Sequence, residues 1–376
     1  MAQYVIRRIL WGIVLLLLVI LLTFLVFYVF PAANPAALRA GRQPSPQVIA
    51  YITHELGLDK PLYTQFFEYV KNLVLHFNLG YSYYSQESVL SLIVSRLPAT
   101  ISLTVGAVVL WLVVGIPVGI LSAVVHDRQL AQKTRLKMLL AWIGCALIPL
   151  ALIALAGSTW GSIFFFLWGL VGIVILISYF TKKGDFMDRS AMSVALAFVS
   201  MPVFWLGLIV LYLFASDIGK FPILPGANTY VGLTADPWKW FTSLLLPWIV
   251  LGATQAAIYS RLLRGSLIET MGEDYIRTAR AKGVKEPRVI WRHGVRAAIT
   301  PVITVLGIDI AALLGGAVLT ETVFDIPGIG RLNYAAIVNT DIPIVQGTVL
   351  LAAMFVVVAN IIVDILYAYL DPRVRY

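Results

Sequence analysis

"ILWGIVLLLLVILLTFLVFYVF", residues 9–30, is a stretch of 22 residues without a charge. A helix needs about 20 predominantly apolar residues to cross the hydrocarbon core of a bilayer. Arg7 and Arg8 precede this stretch as they would precede a secretory signal. Its apolar run is too long for a cleaved signal, so it reads as an uncleaved anchor.

Applied along the chain, the same test gives eight apolar segments: 9–30, 99–125, 138–157, 162–180, 190–215, 241–260, 298–320 and 345–369. The chain is 60% hydrophobic and 12% charged, with a mean hydropathy of +0.88, far from the balance of a soluble domain. The fold class is therefore all-α, a polytopic membrane protein of about eight transmembrane helices. Its net charge of +9 points to basic cytoplasmic loops more than to nucleic acid. With the N-terminus inside, 20 of the 28 Lys and Arg residues fall on the cytoplasmic side and 8 outside, which satisfies the positive-inside rule. Both termini are then cytoplasmic. The single cysteine, Cys145, excludes an intrachain disulfide framework. His54, His76, His126 and His293 show no metal-ligand spacing, so no metal site is expected.

The chain divides into an N-terminal anchor helix (1–30), an extracytoplasmic segment (31–98) and a transmembrane domain (99–376). Within 31–98, "VIAYITHELGL" and "QFFEYVKNLVLHF" repeat apolar residues at helical spacing and read as a small cap on the membrane surface. Residues 217–240 and 321–344 read as outside loops, rich in Pro and Gly in part. The sizeable cytoplasmic region is 261–297.

Nine cations lie in that loop. "GEDYIRTARAK" has acids at its start and cations at its end, the order a helix macrodipole favours. Gly283 follows as a residue tolerant of positive φ, and Pro287 suits the first turn of a second helix. Arg288, Arg292 and Arg296 then recur every four residues along one face. Such a stripe fits anionic membrane lipid, and it equally fits a cytoplasmic protein partner. No nucleic-acid motif accompanies it.

"DYIRTARAKG" (274–283) and "RHGVRAAITP" (292–301) resemble the cytoplasmic loop of bacterial ABC importer permeases, in particular the dipeptide/oligopeptide/nickel branch. Further words of that branch occur in order: "VIRRIL" (5–10), "LGLDKPLYTQF" (56–66), "LGYS" (79–82), "RLPATISLT" (96–104), "TETVFDIPGIGRL" (320–332), "PIVQGTVLL" (343–351) and "NIIVDILYAYLDPRVR" (360–375). The resemblance implies a pore-forming subunit with a six-helix core and no ATPase of its own. Its expected partners are a second related permease, two cytoplasmic ATPase subunits that bind ATP and Mg, and an extracytoplasmic substrate-binding protein. The sequence agrees in having no G-x-x-x-x-G-K-[ST] phosphate loop. The resemblance also makes Arg277, Thr278, Ala279, Arg280, Lys282, Gly283, Val284, Lys285, Glu286 and Arg288 the ATPase-coupling loop. The expected cargo is a di- or oligopeptide, with nickel or another small solute as the alternative on the same scaffold.

Three departures mark this chain. The wider importer signature begins Glu-Ala-Ala where Arg277, Thr278 and Ala279 stand, as in the peptide branch, and carries Pro where Arg296 stands. Ala33-Asn34-Pro35 replaces the Gly-Asp-Pro common near the first span. The third departure is an inserted stretch, 138–181, of 44 uncharged residues broken by "GSTWGS", which reads as a helical hairpin that crosses and returns.

The predicted spans contain two ionisable residues, Asp309 and Asp364. Asp309, near mid-depth, is a candidate for the translocation path. Asp364 lies close enough to the inner interface to be solvated or paired. Glu321, at the outer end of the seventh span, is a candidate for the pore mouth. An ion-coupled secondary transporter is the alternative from another class. It would usually carry inverted repeats and broken helices with midplane ion ligands, and no convincing repeat is present. A membrane enzyme would need a nucleophile, base or metal cluster, and the sequence offers none.

Overall fold

The computed structural model describes residues 2–29, 36–37, 45–55, 57–126, 136, 139–143 and 185–370. Among them the regular structure is helical, with two isolated bridges, Tyr81 to Ser88 and Ala215 to Leu224, in place of a sheet. Four helices are long and apolar enough to cross a membrane, and up to six spans result if each of two bent helix pairs counts as one. The segments 138–157 and 162–180 lie outside the described residues except for 139–143, which are helical.

The described residues form two compact units. One comprises Met1–Gly106, Pro225–Pro247 and Ile303–Tyr376, the other Ala107–Leu224 and Trp248–Val302.

In the first unit, α1 (Ala2–Phe24) runs on into a π-helical turn, Leu25–Val29. Leu10, Leu15 and Leu22 are each more than half exposed, as a lipid-facing surface requires, whereas Ile20, Thr23 and Phe24 are buried. Gly12 lets α1 lie close to α13 (Ile342–Leu370): a Cβ there would sit 2.9 Å from Val357 and 3.2 Å from Ile361. The two amphipathic stretches form α2 (Pro46–Glu55) and α3 (Leu62–His76). Phe66 of α3 packs edge-on against Phe24 with ring centroids 5.2 Å apart, so the cap is seated on the C-terminal end of α1.

Helix α4 (Val89–Val125) begins ten residues before the expected span at 99. Its 37 residues reach about 55 Å, well beyond the bilayer core. The extra turns are held by a water-soluble style of core: Val89 and Ile93 pack with Ile329, Ala336 and Ile344. The expected outside loop 321–344 is therefore not open. It contains α12 (Ile329–Val338), preceded by the short α11 (Val318–Val323). Upstream, α10 (Thr300–Leu314) stops short of the predicted boundary at 320. Gly316 turns the chain at φ +121, where a Cβ would also lie 2.5 Å from the backbone of Gly330.

In the second unit, the segment 190–215, expected as one span, is two helices. They are α5 (Asp185–Ser200) and α6 (Val203–Phe214), bent by 99° at Met201-Pro202. Pro202 has no N–H to continue a helix and disfavours helical backbone at Met201. Helix α7 (Pro237–Met271) passes the expected inner boundary at 260 and continues eleven residues into the loop expected to be cytoplasmic. Gly115 and Gly119 of α4 face α7 at helical spacing. A Cβ at either would meet the carbonyl oxygen of Ala256 or Ser260 at 2.8 and 2.7 Å. Small residues four apart are how membrane helices come into close backbone contact. Trp111 and Tyr259, both buried, extend the same seam with ring centroids 5.7 Å apart.

Candidate functional site

The loop expected to be cytoplasmic folds as two helices around a corner, α8 (Asp274–Ala281) and α9 (Glu286–Ala298), the latter π-helical over Val289–Val295. Gly283, with φ +76, makes the corner. Its N–H donates to the carbonyl of Arg280 at 2.9 Å, and the N–H of Val284 donates to that of Ala279 at 3.2 Å. These are the paired hydrogen bonds of a Schellman cap, which close off the carbonyls a helix end leaves free. The apolar contact that accompanies such caps is also present: Val284 packs on the cluster of Ile276, Ala279 and Val289. Arg280 spans the corner with a forked pair to Glu286, at 2.9 and 3.2 Å.

The sequence-predicted loop residues therefore divide by role. Arg277, Thr278, Arg280, Lys282, Gly283, Lys285 and Arg288 are exposed, while Val284 and Glu286 are half-buried. Ala279 is buried and belongs to the loop's own small core. Arg292, Arg296 and Trp291 extend the exposed surface along α9. The corner is mounted on the end of α7. Met271 packs on the loop core, and at Gly294 a Cβ would be 2.9 Å from Met271 and 3.1 Å from Leu267.

Glu321, the candidate for the pore mouth, caps a helix within the first unit. Its side chain is fully buried in this chain, accepting hydrogen bonds from the Thr100 hydroxyl and the Arg331 N–H, both at 2.9 Å. Thr100 in turn accepts from the N–H of Ile329 at 2.8 Å. The carboxylate and the hydroxyl thus cap the first turn of α12 together, where a helix concentrates its free donors. Burial pushes the Glu321 carboxyl above its usual range, opposed by the hydrogen bonds from Arg331 and Thr100. Asp309 lies half-buried in α10, as its tenth residue. Asp364 is paired with Arg8 at 3.0 Å, a partner at the opposite end of the sequence. Asp341 accepts from the backbone N–H of Tyr83 at 3.1 Å and from the Ser82 hydroxyl at 2.5 Å, fastening the loop before α4 to the start of α13.

A family-wide sequence profile described as "binding-protein-dependent transport system inner membrane component" matches residues 169–376, and the N-terminal profile of the same component matches residues 1–104. A Brucella abortus protein named as a peptide transport system permease is 35% identical across the whole of both chains. The dipeptide transport system permease protein of Alkalihalophilus pseudofirmus is 33% identical, and the glutathione transport system permease protein of Escherichia coli K12 is also 33% identical, each with all of both chains covered. The chain belongs to this permease family.

The permease is accordingly a multi-pass protein of the cytoplasmic membrane, an ABC importer component and not itself the catalytic one. The words that carried the resemblance turn out to be contact partners in its first unit. "RLPATISLT" supplies Thr100 to the Glu321 of "TETVFDIPGIGRL", and "LGYS" supplies Ser82 to Asp341, two residues ahead of "PIVQGTVLL". Residues 105–168, which hold most of the inserted stretch 138–181, fall between the two profile matches. Sequence reasoning did not find Thr100, Arg8 or Ser82 as partners, because nothing local to a buried acid names a group hundreds of positions away.

Proposed function

We propose that this chain is the pore-forming permease of an ATP-driven importer of peptides, coupled to its ATPase through the corner at 277–290. The observation that carries the reading is the corner itself. Its backbone is fixed by the Schellman cap and a small apolar core, while its cations point outward from the end of α7. A lipid-facing cationic stripe needs no rigid turn. A surface that must fit a groove and be pushed does. The cargo assignment is supported by the relatives' names, which specify peptide, dipeptide and glutathione transport, all of them amide-linked chains. In this reading the full importer contains a second related permease, two cytoplasmic ATPases that hold ATP and Mg, and an extracytoplasmic binding protein that delivers the cargo.

Cysteines at Arg277, Lys282, Lys285 and Arg288 in the assembled complex test the docking. They are expected to cross-link to the ATPase and to lose reagent labelling when it is bound. Equal labelling with and without the ATPase overturns the docking and returns the stripe to lipid headgroups. Uptake into proteoliposomes, with binding protein loaded with a dipeptide or with a nickel complex, decides the cargo.

A further inference from the structure

Four side chains meet at the inner ends of three helices in the second unit. Asp188, near the start of α5, is 2% exposed. Arg264 of α7 grips its two oxygens as a fork, Nε to Oδ1 and Nη2 to Oδ2, each at 2.5 Å. Ser122 of α4 donates to Oδ1, and His126, directly after α4, meets Oδ2 through Nδ1 at 2.9 Å. Nδ1 also lies 3.2 Å from Arg264 Nη2. It cannot donate to the carboxylate and accept from the guanidinium at once. The shorter contact, to the anion, favours the tautomer with Nδ1 protonated.

Stability alone does not account for such a node. A buried ion pair is often matched or bettered by apolar groups of the same size, because two charges must be stripped of water. What a forked Arg–carboxylate pair adds is a fixed relative orientation. Its position gives that orientation a use. Leu267 and Met271 follow Arg264 by three and seven residues, so all three share one face of α7. These are the residues on which Gly294 and the coupling-loop core rest. A cleft under the loop, lined by His126, Leu267, Met271 and Arg280, runs from the node to α8. His126 and Asp188, 62 positions apart in sequence, also flank the stretch that contains the insertion.

We propose that Asp188 and Arg264, assisted by His126 and Ser122, are positioning residues that bind the inner ends of α4, α5 and α7 into one piece, so that displacement of the coupling loop is delivered to all three helices. This rests on the reading that the loop at 277–290 receives the ATPase. Without the node, a push on the loop moves α7 and is lost before it reaches α4 and α5.

The test uses the whole complex in lipid nanodiscs and proteoliposomes, with three readouts: cross-linking of loop cysteines to the ATPase, ATP hydrolysis, and cargo moved per ATP hydrolysed. Asp188→Asn is expected to keep the cross-link and basal hydrolysis while lowering cargo per ATP about tenfold. Arg264→Lys keeps the charge and loses the fork, so a smaller fall of severalfold is expected. The exchange Asp188→Arg with Arg264→Asp is expected to recover part of the ratio. If Asp188→Asn prevents assembly, Arg264→Lys decides alone. An unchanged cargo-to-ATP ratio in a variant that assembles and cross-links overturns the proposal and leaves a structural staple. Failure of the parent loop to cross-link overturns the docking reading instead, and is seen in the parent complex before any variant is made.

Discussion

Thr100 and Glu321 stand 221 positions apart in the sequence and share a hydrogen bond of 2.9 Å in a fully buried site. Thr100→Val keeps the shape of the side chain and removes both its donor and its acceptor. The expected cost is about 1–3 kcal/mol, since the N–H of Ile329 and one carboxylate oxygen are left without their partner. Thr100→Ser should stay near the parent. Thermal unfolding of the purified permease in detergent checks this, and a Thr100→Val protein that melts with the parent would show that α12 is held by packing alone.

The same site predicts a pH effect with a definite sign. A carboxyl raised above its unfolded value favours the fold most at low pH, and that advantage is lost as pH rises through its folded pKa. Glu321→Gln does not ionise. The melting difference between parent and Glu321→Gln should therefore favour the parent most at acidic pH and shrink towards neutrality. A difference that grows with pH would mean the hydrogen-bond donors outweigh burial.

At Gly283 no heavy atom lies within 4 Å of the place a Cβ would occupy, so a side chain there meets no obstacle other than its own backbone. The cost of a substitution is that of φ +76, on the order of 1–3 kcal/mol for a strained residue. Asn, which tolerates this region, should be mildest, Ala intermediate and Val worst. Transport should fall further than expression in that order. Normal transport by Gly283→Val would remove the corner from the coupling mechanism.

Arg8 and Asp364 pair the first and last long helices at 3.0 Å. Asp364→Ala should reduce the yield of folded permease, because Arg8 keeps its charge without this partner beside an apolar helix. Exchanging the two residues should recover a part of what either single change loses. Recovery is read from the monodisperse fraction in size-exclusion chromatography. Equal yields for Arg8→Asp, Asp364→Arg and the exchanged pair would make the pair incidental.

The membrane character and most spans were legible in the sequence because a bilayer core imposes a length and a polarity that hydropathy reads directly. The corner at Gly283 and Pro287 was legible for a similar reason, since backbone rules act over a few residues. The bend at Pro202 was not, because a hydropathy sum over 190–215 is the same whether the segment is straight or folded at 99°. The outward extension of α4 was missed because Val89 and Ile93 are buried by α12 and α13, whose arrival no local pattern announces. Asp188 and Arg264 lie just beyond the expected span boundaries at 190 and 260, where hydropathy does not distinguish a buried charge from a solvated one. The signal available was that His126 and Asp188 flank the long uncharged stretch.

The contacts that join early and late parts of the chain also set an order of events during synthesis. Ser82 waits for Asp341, Thr100 for Glu321, and α1 for the α13 residues that receive Gly12. At 5–20 residues per second, the ribosome needs on the order of tens of seconds to supply the missing partners. Throughout that interval the early helices sit in the membrane with their polar groups and their close-packing glycine uncovered. A chain cut short before α11 never buries them. The permease thus cannot complete these contacts until nearly all of it has been made.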